Sequence, residues 1–262
     1  MQTRCPVVLV HGWKSHPHVW NPLIRRLEEE SLVCWNFSHN KMWNAGAEEI
    51  GLALMEFIRS KQKEHTYDGK VDVVCHSMGA AVARYMLEVM DGKSCRIPVR
   101  NLIGIGPPNN GSSMAELFND PVHGPDILKQ LAGTFVPRTY DPSEDRIVQE
   151  FRSTGPFVQA LRDAGQRSDI RYRVIVAGNT TETPTLFPLF SGKTWAYSSG
   201  EWQLTARGDG IVPHADSCMP GADVAVLPTD PAVLDADAED YCHIRLPGNP
   251  EVAEQVIRFL RE

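Results

Sequence analysis

The sequence lacks long hydrophobic runs and has no surplus of basic residues. Its uninterrupted apolar runs, such as Pro6 to Val10, are far shorter than the roughly 20 residues that a membrane-spanning helix requires, so no transmembrane segment is expected. Among the 262 residues, 26 are Lys or Arg and 33 are Asp or Glu, which gives a formal net charge of -7. Because no basic run is present to neutralise a row of phosphates, no nucleic-acid partner is expected.

Cofactor and targeting motifs are also missing. The six cysteines stand singly, without the C-x-x-C spacing of zinc or redox sites, and we interpret them as small buried residues of a reducing compartment. No G-x-G-x-x-G or Walker pattern occurs, so no cofactor is expected. No basic segment followed by a cleavable apolar stretch precedes Pro6, so we expect a cytoplasmic protein, or a mature form from which a signal peptide has been removed.

An acidic run at residues 235–240 offers oxygen ligands of the kind that calcium prefers. The run lacks the glycine and the spacing of an EF-hand, so a solvated loop is the default interpretation and no metal is expected.

Short β-branched runs alternate with segments of helical periodicity. Near-continuous apolar strands are typical of a parallel sheet that is covered on both faces, and the alternation predicts a doubly wound α/β fold with right-handed crossovers. The predicted strands are Pro6 to Val10, Leu32 to Phe37, Val71 to Cys75, Val99 to Ile105, Tyr172 to Ala177 and Asp223 to Leu227.

Capping signals and periodicity place three helices of this core. Asn21-Pro22 and Asn249-Pro250 each set an N-cap residue before a proline at the first helical position. Ile50, Leu54 and Ile58 recur at helical spacing, which predicts a helix over one face of the sheet.

The alternation is interrupted once, after the fourth predicted strand. Residues 107–170 are rich in proline and contain no convincing strand, but Pro125 to Leu131, Ser143 to Phe151 and Pro156 to Leu161 each have the apolar side of a short helix. We interpret residues 107–170 as a helical cap, or lid, inserted into a core formed by residues 1–106 and 171–262. A second connection, Thr180 to Leu204, is too long and too apolar for a plain solvent loop.

A serine lies between a buried strand and an alanine-rich helix. A sharp turn from strand to helix holds such a serine in a strained conformation that exposes its hydroxyl, and small neighbours let the turn pack. We predict this nucleophile elbow at Cys75, His76, Ser77, Met78 and Gly79.

The elbow resembles the Gly-x-Ser-x-Gly motif of the α/β-hydrolase family, in particular its small lipases and esterases. Cysteine replaces the first glycine, at a position that needs a small side chain. A second segment, Val7-Val-Leu-Val-His-Gly-Trp13, resembles the family strand that ends in His-Gly. The resemblance implies an α/β-hydrolase fold with about six mostly parallel strands flanked by helices, the two strands that precede the His-Gly strand in the family being absent. It also implies that the backbone N–H groups of Trp13 and Met78 form the oxyanion hole.

The general base is sought among the three histidines that follow Ser77, because the family's chain order is serine, acid, histidine. His123 lies within the predicted cap, and His214 lies close behind Asp209. His243 lies past the last predicted strand and just before the C-terminal helix, where the family keeps its base. The resemblance therefore implies His243.

The acid is implied by the segment Arg207-Gly-Asp-Gly-Ile-Val-Pro213, which resembles the Gly-Asp-x-x-Val-Pro segment of lipases. Asp209 would orient His243 and stabilise its imidazolium. Asp216 and Asp223 are the alternatives.

The pocket is the least specified part of the site. Asn109-Asn-Gly-Ser-Ser113 follows the fourth strand and resembles the segment that begins the cap in lipases; it either lines the acyl site or forms a plain turn. We name Asn109, with Leu186 and Phe187 of the second connection, as candidate pocket residues.

The resemblance implies a serine carboxylic-ester hydrolase, a lipase or esterase, that forms an acyl-enzyme with a small-molecule ester or a lipid. Thioesterases and acyltransferases use the same triad, and a non-enzymatic binding protein on this scaffold is the alternative from another class. A lipase would make transient contact with a lipid surface through the cap and the segment Leu186 to Phe190, whereas an esterase would prefer short soluble esters.

Overall fold

The structure is a computed structural model that describes residues 4–262. Its strands are β1 (Val7–Val10), β2 (Cys34–Phe37), β3 (Val71–His76), β4 (Val99–Ile105), β5 (Arg171–Ala177), β6 (Thr194–Ser198), β7 (Glu201–Thr205) and β8 (Asp223–Leu227). Its α-helices are α1 (Asn21–Glu29), α2 (Ala47–Glu64), α3 (Met78–Arg84), α4 (Ser113–Phe118), α5 (Gly124–Leu131), α6 (Arg146–Glu150), α7 (Pro156–Ala164), α8 (His214–Ser217), α9 (Leu234–Asp237) and α10 (Pro250–Arg261). A π-helical segment, Tyr85–Asp91, continues α3.

Six parallel strands form the central sheet in the order β2-β1-β3-β4-β5-β8. Every residue of β1 and β3 is buried, as expected of a parallel sheet covered on both faces. The prediction of a six-stranded parallel α/β sheet flanked by helices is confirmed. The carboxyl ends of all six strands lie at one edge, which brings the loops after β1, β3, β4 and β8 together.

Of the two asparagines predicted to cap a helix start, the structure confirms one and contradicts the other. At α10 the side chain of Asn249 accepts hydrogen bonds from the backbone N–H groups of Glu251 (2.8 Å) and Val252 (3.2 Å), as an N-cap does. The prediction for Asn21 is wrong, because a 3₁₀ turn, Pro17–Trp20, runs directly into α1. Asn21 is already helical (φ -54°, ψ -40°), so its side chain does not cap the helix.

The segment 107–170 contains α4 to α7 and no strand. Two of its helices match predicted segments closely, but α4 was not predicted, and the third predicted helix is divided at Asp145. That residue is extended (φ -91°, ψ 100°) between a 3₁₀ turn, Pro142–Glu144, and α6. Movement of this segment as a lid remains a prediction.

The second long connection forms an antiparallel hairpin of β6 and β7 rather than an irregular segment. Ser199 and Gly200 both have positive φ at its tip (53° and 87°), which suits the right-handed twist of the paired strands. Tyr197 and Trp202 pack across the pair with ring centroids 4.7 Å apart. Alternating aromatic residues around Ser-Gly were the available signal for this hairpin.

Two expectations about polar and sulfur-containing residues need correction. The acidic run is helical and not a loop, because Leu234, Ala238 and Tyr241 are buried beneath it. Among residues 4–262, no group of three His, Cys, Asp or Glu side chains could hold a metal ion. The cysteines are all unpaired; Cys75 and Cys242 are buried, but Cys95 and Cys218 are exposed.

Within residues 4–262, no helix has the length and apolar character needed to span a bilayer.

Candidate active site

Ser77 lies between the end of β3 and the start of α3. Its backbone has φ 54° and ψ -131°, a strained conformation for a residue with a side chain, and its N–H donates to the Ile105 carbonyl (2.9 Å). The helix that follows lies directly on the end of β1. A β-carbon at Gly79 would lie 2.6 Å from the His11 carbonyl oxygen and 2.7 Å from that of Val10, so this close approach requires glycine.

A continuous hydrogen-bonded chain joins Ser77, His243 and Asp209. Nε2 of His243 lies 2.8 Å from Oγ of Ser77, and Nδ1 of His243 lies 2.7 Å from Oδ2 of Asp209. Asp209 and His243 are 1% and 4% exposed. A serine hydroxyl, an imidazole and a carboxylate in contact in this order have the geometry of a catalytic triad.

The second oxygen of Asp209 fixes the carboxylate. Oδ1 accepts the backbone N–H groups of Val212 (2.7 Å) and Ile211 (3.1 Å), and the backbone N–H of His243 donates to the Asp209 carbonyl (2.9 Å). Because an ionised carboxylate only accepts, Nδ1 of His243 carries the proton in this assignment, and Nε2 is free to accept from the Ser77 hydroxyl.

The alternative acids and bases lie elsewhere. Asp216 accepts hydrogen bonds from Ser113, through its backbone N–H (2.6 Å) and its hydroxyl (2.9 Å), and Asp223 is an exposed residue of β8 near Arg173. His214 donates through Nε2 to the Ala177 carbonyl (2.9 Å). The remaining histidine, His123, packs beside the hairpin residues Trp195 and Trp202.

His76 braces the loop that carries His243. Its Nε2–H donates to the backbone carbonyl of His243 (2.9 Å), and the two rings lie 4.5 Å apart. Burial, reinforced by the neighbouring His243, holds the pKa of His76 well below its ordinary value. A neutral His76 places no second positive charge beside a protonated His243.

His11 and His39 hold the backbone that leads to Trp13. Their rings stack with centroids 3.8 Å apart. Nδ1–H of His11 donates to the Gly12 carbonyl (3.0 Å), Nε2 of His11 accepts the backbone N–H of His39 (3.3 Å), and Nε2–H of His39 donates to the His11 carbonyl (3.0 Å). Burial, together with the adjacent His39, lowers the pKa of His11 to about 4. No sequence motif marked His39.

Trp13 and Met78 line the same cavity as Ser77 and His243. Met78 is the first residue of α3, so its N–H is one of the groups at a helix start that have no partner within the helix, and the helix dipole favours negative charge there. The role of both N–H groups as oxyanion donors remains a prediction.

A cavity of about 320 Å³ opens at Ser77. Segment 107–170 supplies one group of its apolar wall residues: Met114, Phe118, Phe135, Ile147, Val148 and Phe151. The core supplies the other group: Val19, Ile211, Val212, Ile244 and Pro247. Polar side chains in the wall include Lys14, Ser15 and His16.

The three candidate pocket residues do not lie at this cavity. The side-chain amide of Asn109 donates to the Ser217 carbonyl (2.9 Å), and the backbone carbonyl of Asn109 accepts from the Arg84 guanidinium (2.9 Å), so Asn109 is held by α8 and α3. Leu186 is buried. Phe187 packs against Gly210, where a β-carbon would lie 2.5 Å from that of Phe187, so it supports the loop next to Asp209 and does not line the cavity.

Gly106 is part of the site and was not predicted. It follows β4 with φ 54°, and a β-carbon on it would lie 2.9 Å from Oδ2 of Asp209 and 3.1 Å from Nδ1 of His243. Its position after a buried strand and before Pro107-Pro108 was the only signal in the sequence.

A parallel sheet with a strained serine at the end of a central strand is the architecture of the α/β hydrolases. The chain belongs to this family: the model described as "Alpha/beta hydrolase family" matches residues 7–255. A search of curated proteins found no significant match.

Solved structures share the fold at low sequence identity. The chain is similar to the mature form of the Bacillus licheniformis lipase BlEst2 (TM-score 0.64, 18% identity, covering 99% of this chain and 93% of that one); it covers 51% of the same lipase in its propeptide form. It is also similar to a metagenomic carboxyl esterase (TM-score 0.59, 16% identity, 100% and 76%) and to the NocB thioesterase domain (TM-score 0.51, 16% identity, 99% and 96%).

Proposed function

We propose that the protein is a serine carboxylic-ester hydrolase in which Ser77 is the nucleophile, His243 the general base and Asp209 the orienting acid. The observation that supports this most strongly is the chain of short contacts from Oγ of Ser77 through the His243 ring to the buried Asp209 carboxylate. A serine hydroxyl is a weak nucleophile until an adjacent base accepts its proton, and His243 Nε2 is within reach to do so.

In the proposed reaction, Oγ of Ser77 attacks the ester carbonyl carbon while its proton passes to Nε2 of His243. The carbonyl oxygen becomes an oxyanion held by the N–H groups of Trp13 and Met78. The tetrahedral intermediate collapses as His243 protonates the leaving alcohol, which leaves the acyl group on Ser77. Water, deprotonated by His243, then attacks the acyl carbonyl carbon, and His243 returns the proton to Oγ of Ser77 as the acid is released.

The proposed substrates are esters with an apolar acyl or alcohol part. The walls of the cavity at Ser77 are mostly apolar on both sides, and an apolar pocket favours substrates that remove apolar surface from water. No metal or organic cofactor takes part in the proposed reaction.

Thioester hydrolysis is the second candidate, because a thioesterase domain shares the fold over nearly the whole chain. The same triad can attack a thioester carbonyl, and the fold does not choose the leaving group.

The test is hydrolysis of p-nitrophenyl esters from acetate to palmitate, below and above substrate aggregation, by the wild type and Ser77→Ala, with acyl thioesters of matched length in parallel. Loss of hydrolysis in Ser77→Ala supports the proposal, and unchanged hydrolysis contradicts it. Faster turnover above aggregation would favour a lipase that contacts lipid through segment 107–170. A wild type that cleaves only thioesters would favour the second candidate, and one that cleaves neither would favour a binding protein or an acyltransferase.

A further inference from the structure

Asp145 is the meeting point of two parts of the cavity wall. Its Oδ2 accepts the indole N–H of Trp13 (3.1 Å) and the hydroxyl of Tyr140 (3.3 Å), and it lies 3.1 Å from Nζ of Lys14. Its Oδ1 accepts the backbone N–H of Val148 (3.3 Å) and so caps the start of α6. The Asp145 side chain is only 11% exposed, so solvent screens its contacts less than it screens those of surface residues.

The Trp13 side chain is held by residues of segment 107–170. Its ring packs on Phe118, Phe135 and Tyr140, with centroids 6.3, 6.0 and 5.8 Å away. The Lys14 ammonium lies 5.0 Å from the Trp13 ring and 5.2 Å from the Tyr140 ring, within the range of cation–π attraction. The loop after β1 and segment 107–170 are therefore joined around one carboxylate.

The backbone beyond Trp13 is strained. Lys14 has φ 47°, a left-handed conformation that a non-glycine residue keeps only where surrounding contacts hold it. The ion pair with Asp145 is such a contact, and it lies one residue after the predicted oxyanion donor.

We infer that Asp145 is a positioning residue that couples the oxyanion hole to the acyl pocket. It fixes the positions of the Trp13 and Lys14 side chains, and through them that of the Trp13 backbone N–H, relative to α6. Two residues of α6, Ile147 and Val148, line the cavity. This inference rests on the proposed function, because Trp13 matters for catalysis only if an oxyanion forms at Ser77.

The test compares Asp145→Ala and Asp145→Asn with Asp141→Ala. Asp141 is a matched control, because it is also a carboxylate in segment 107–170 that caps a short helical turn, through Ser143, but it forms no hydrogen bond or ion pair with Trp13 or Lys14. Each variant is assayed with p-nitrophenyl acetate, and its melting temperature is measured so that assays are run where the protein is folded.

We expect Asp145→Ala to lower kcat for the acetate ester by about tenfold or more, since losing one oxyanion donor outright costs about 10²- to 10³-fold, while KM changes by less than about threefold. Asp145→Asn loses the charge that holds Lys14 but keeps an oxygen that can accept from the N terminus of α6. Its kcat should therefore fall less than that of Asp145→Ala. Asp141→Ala should stay within about twofold of the wild type. A lower melting temperature with unchanged kcat in both Asp145 variants would overturn the inference.

A second readout does not depend on ester turnover. In the ¹H–¹⁵N NMR spectrum, the Trp13 indole signal is identified by its loss in Trp13→Phe, and its hydrogen exchange with solvent is measured. We expect slow exchange in the wild type and in Asp141→Ala, and exchange at least about tenfold faster in Asp145→Asn. Equal exchange rates of the Trp13 indole N–H in the wild type, Asp141→Ala and Asp145→Asn would overturn the inference, even if Asp145→Ala does not fold. If Ser77→Ala retains full activity while the indole result is as expected, the proposed function fails and the structural coupling stands.

Discussion

Gly106 lies against the carboxylate of Asp209, so close that a β-carbon on Gly106 would be 2.9 Å from Oδ2. Since Oδ2 is also the atom that accepts from Nδ1 of His243, anything larger than glycine after β4 must move the acid, the base or both.

We predict that Gly106→Ala lowers kcat/KM for p-nitrophenyl esters by at least about 100-fold, because displacing the orienting carboxylate by a fraction of an ångström disturbs the base. Gly92→Ala is the matched control. Gly92 also has positive φ (45°), but its β-carbon would meet nothing within 4 Å, so alanine should cost about 1 to 3 kcal/mol of stability through backbone strain alone. Equal activity loss in the two variants would mean that backbone strain, and not contact with Asp209, causes the effect.

Asp209→Asn should reduce kcat by about 10⁴-fold with little change in folding. The amide oxygen can still accept from the Ile211 and Val212 N–H groups, but the amide nitrogen cannot accept from Nδ1 of His243, so the histidine is left in the wrong tautomer. Asp223→Asn, at the exposed alternative on β8, should leave kcat within about twofold of the wild type. Steady-state kinetics checks both. A larger loss of kcat in Asp223→Asn than in Asp209→Asn would indicate that Asp223 is the orienting acid.

The sheet is the part of this protein that was predicted from the sequence and confirmed; the structure also brings Ser77, Asp209 and His243 into contact, while their catalytic roles stay a prediction. The strands are nearly continuous apolar runs, and Ser77, Asp209 and His243 each stand in a local motif at a fixed place relative to a strand or helix. Local patterns carry this information because strained turns restrict which residues can form them.

The lining of the cavity at Ser77 could not be predicted in the same way. Its walls come from α4, α6 and the turn at Phe135, which meet only after segment 107–170 has packed on the core. The candidate pocket residues were chosen by their place in the sequence, but tertiary packing puts them elsewhere. Asn109 contacts Ser217, Leu186 is buried in the interior, and Phe187 packs against Gly210. His39 and Gly106 were missed for the same reason, since their role depends on a partner distant in sequence.

Stability should depend on pH through Asp216. Burial raises its pKa to about 7, against about 3.9 in an unfolded chain. Between these values the folded protein binds a proton that the unfolded chain has lost, so this contribution to stability is present below about pH 4 and disappears as the pH rises through about 7.

Asp216→Asn removes that titration. We predict that the melting temperature of the variant minus that of the wild type increases as the pH rises from 4 to 8. Comparing the two proteins at each pH cancels the opposite contribution of His11, whose lowered pKa is common to both. Asp141→Asn, at an exposed carboxylate, should show no upward trend. A difference for Asp216→Asn that stays constant across the range would contradict the prediction.

The length of the acyl chain should be set by the wall that α6 provides. Val148 is buried and lines the cavity, so Val148→Trp fills part of it. We predict that kcat/KM for p-nitrophenyl octanoate falls at least about tenfold, while that for the acetate changes by less than about threefold. Val122→Trp, at a site that is 74% exposed, is the control and should affect neither ester. Equal loss for both esters in Val148→Trp would place the acyl chain elsewhere.

The most direct test of the central claim is to trap the nucleophile. The wild-type protein is treated with a fluorophosphonate, and the adduct is counted by intact mass and located by peptide mass spectrometry. The account predicts one adduct per chain, on Ser77, with no labelling of Ser77→Ala and much slower labelling of His243→Ala. An unlabelled wild type, or an adduct on a residue other than Ser77, would contradict it.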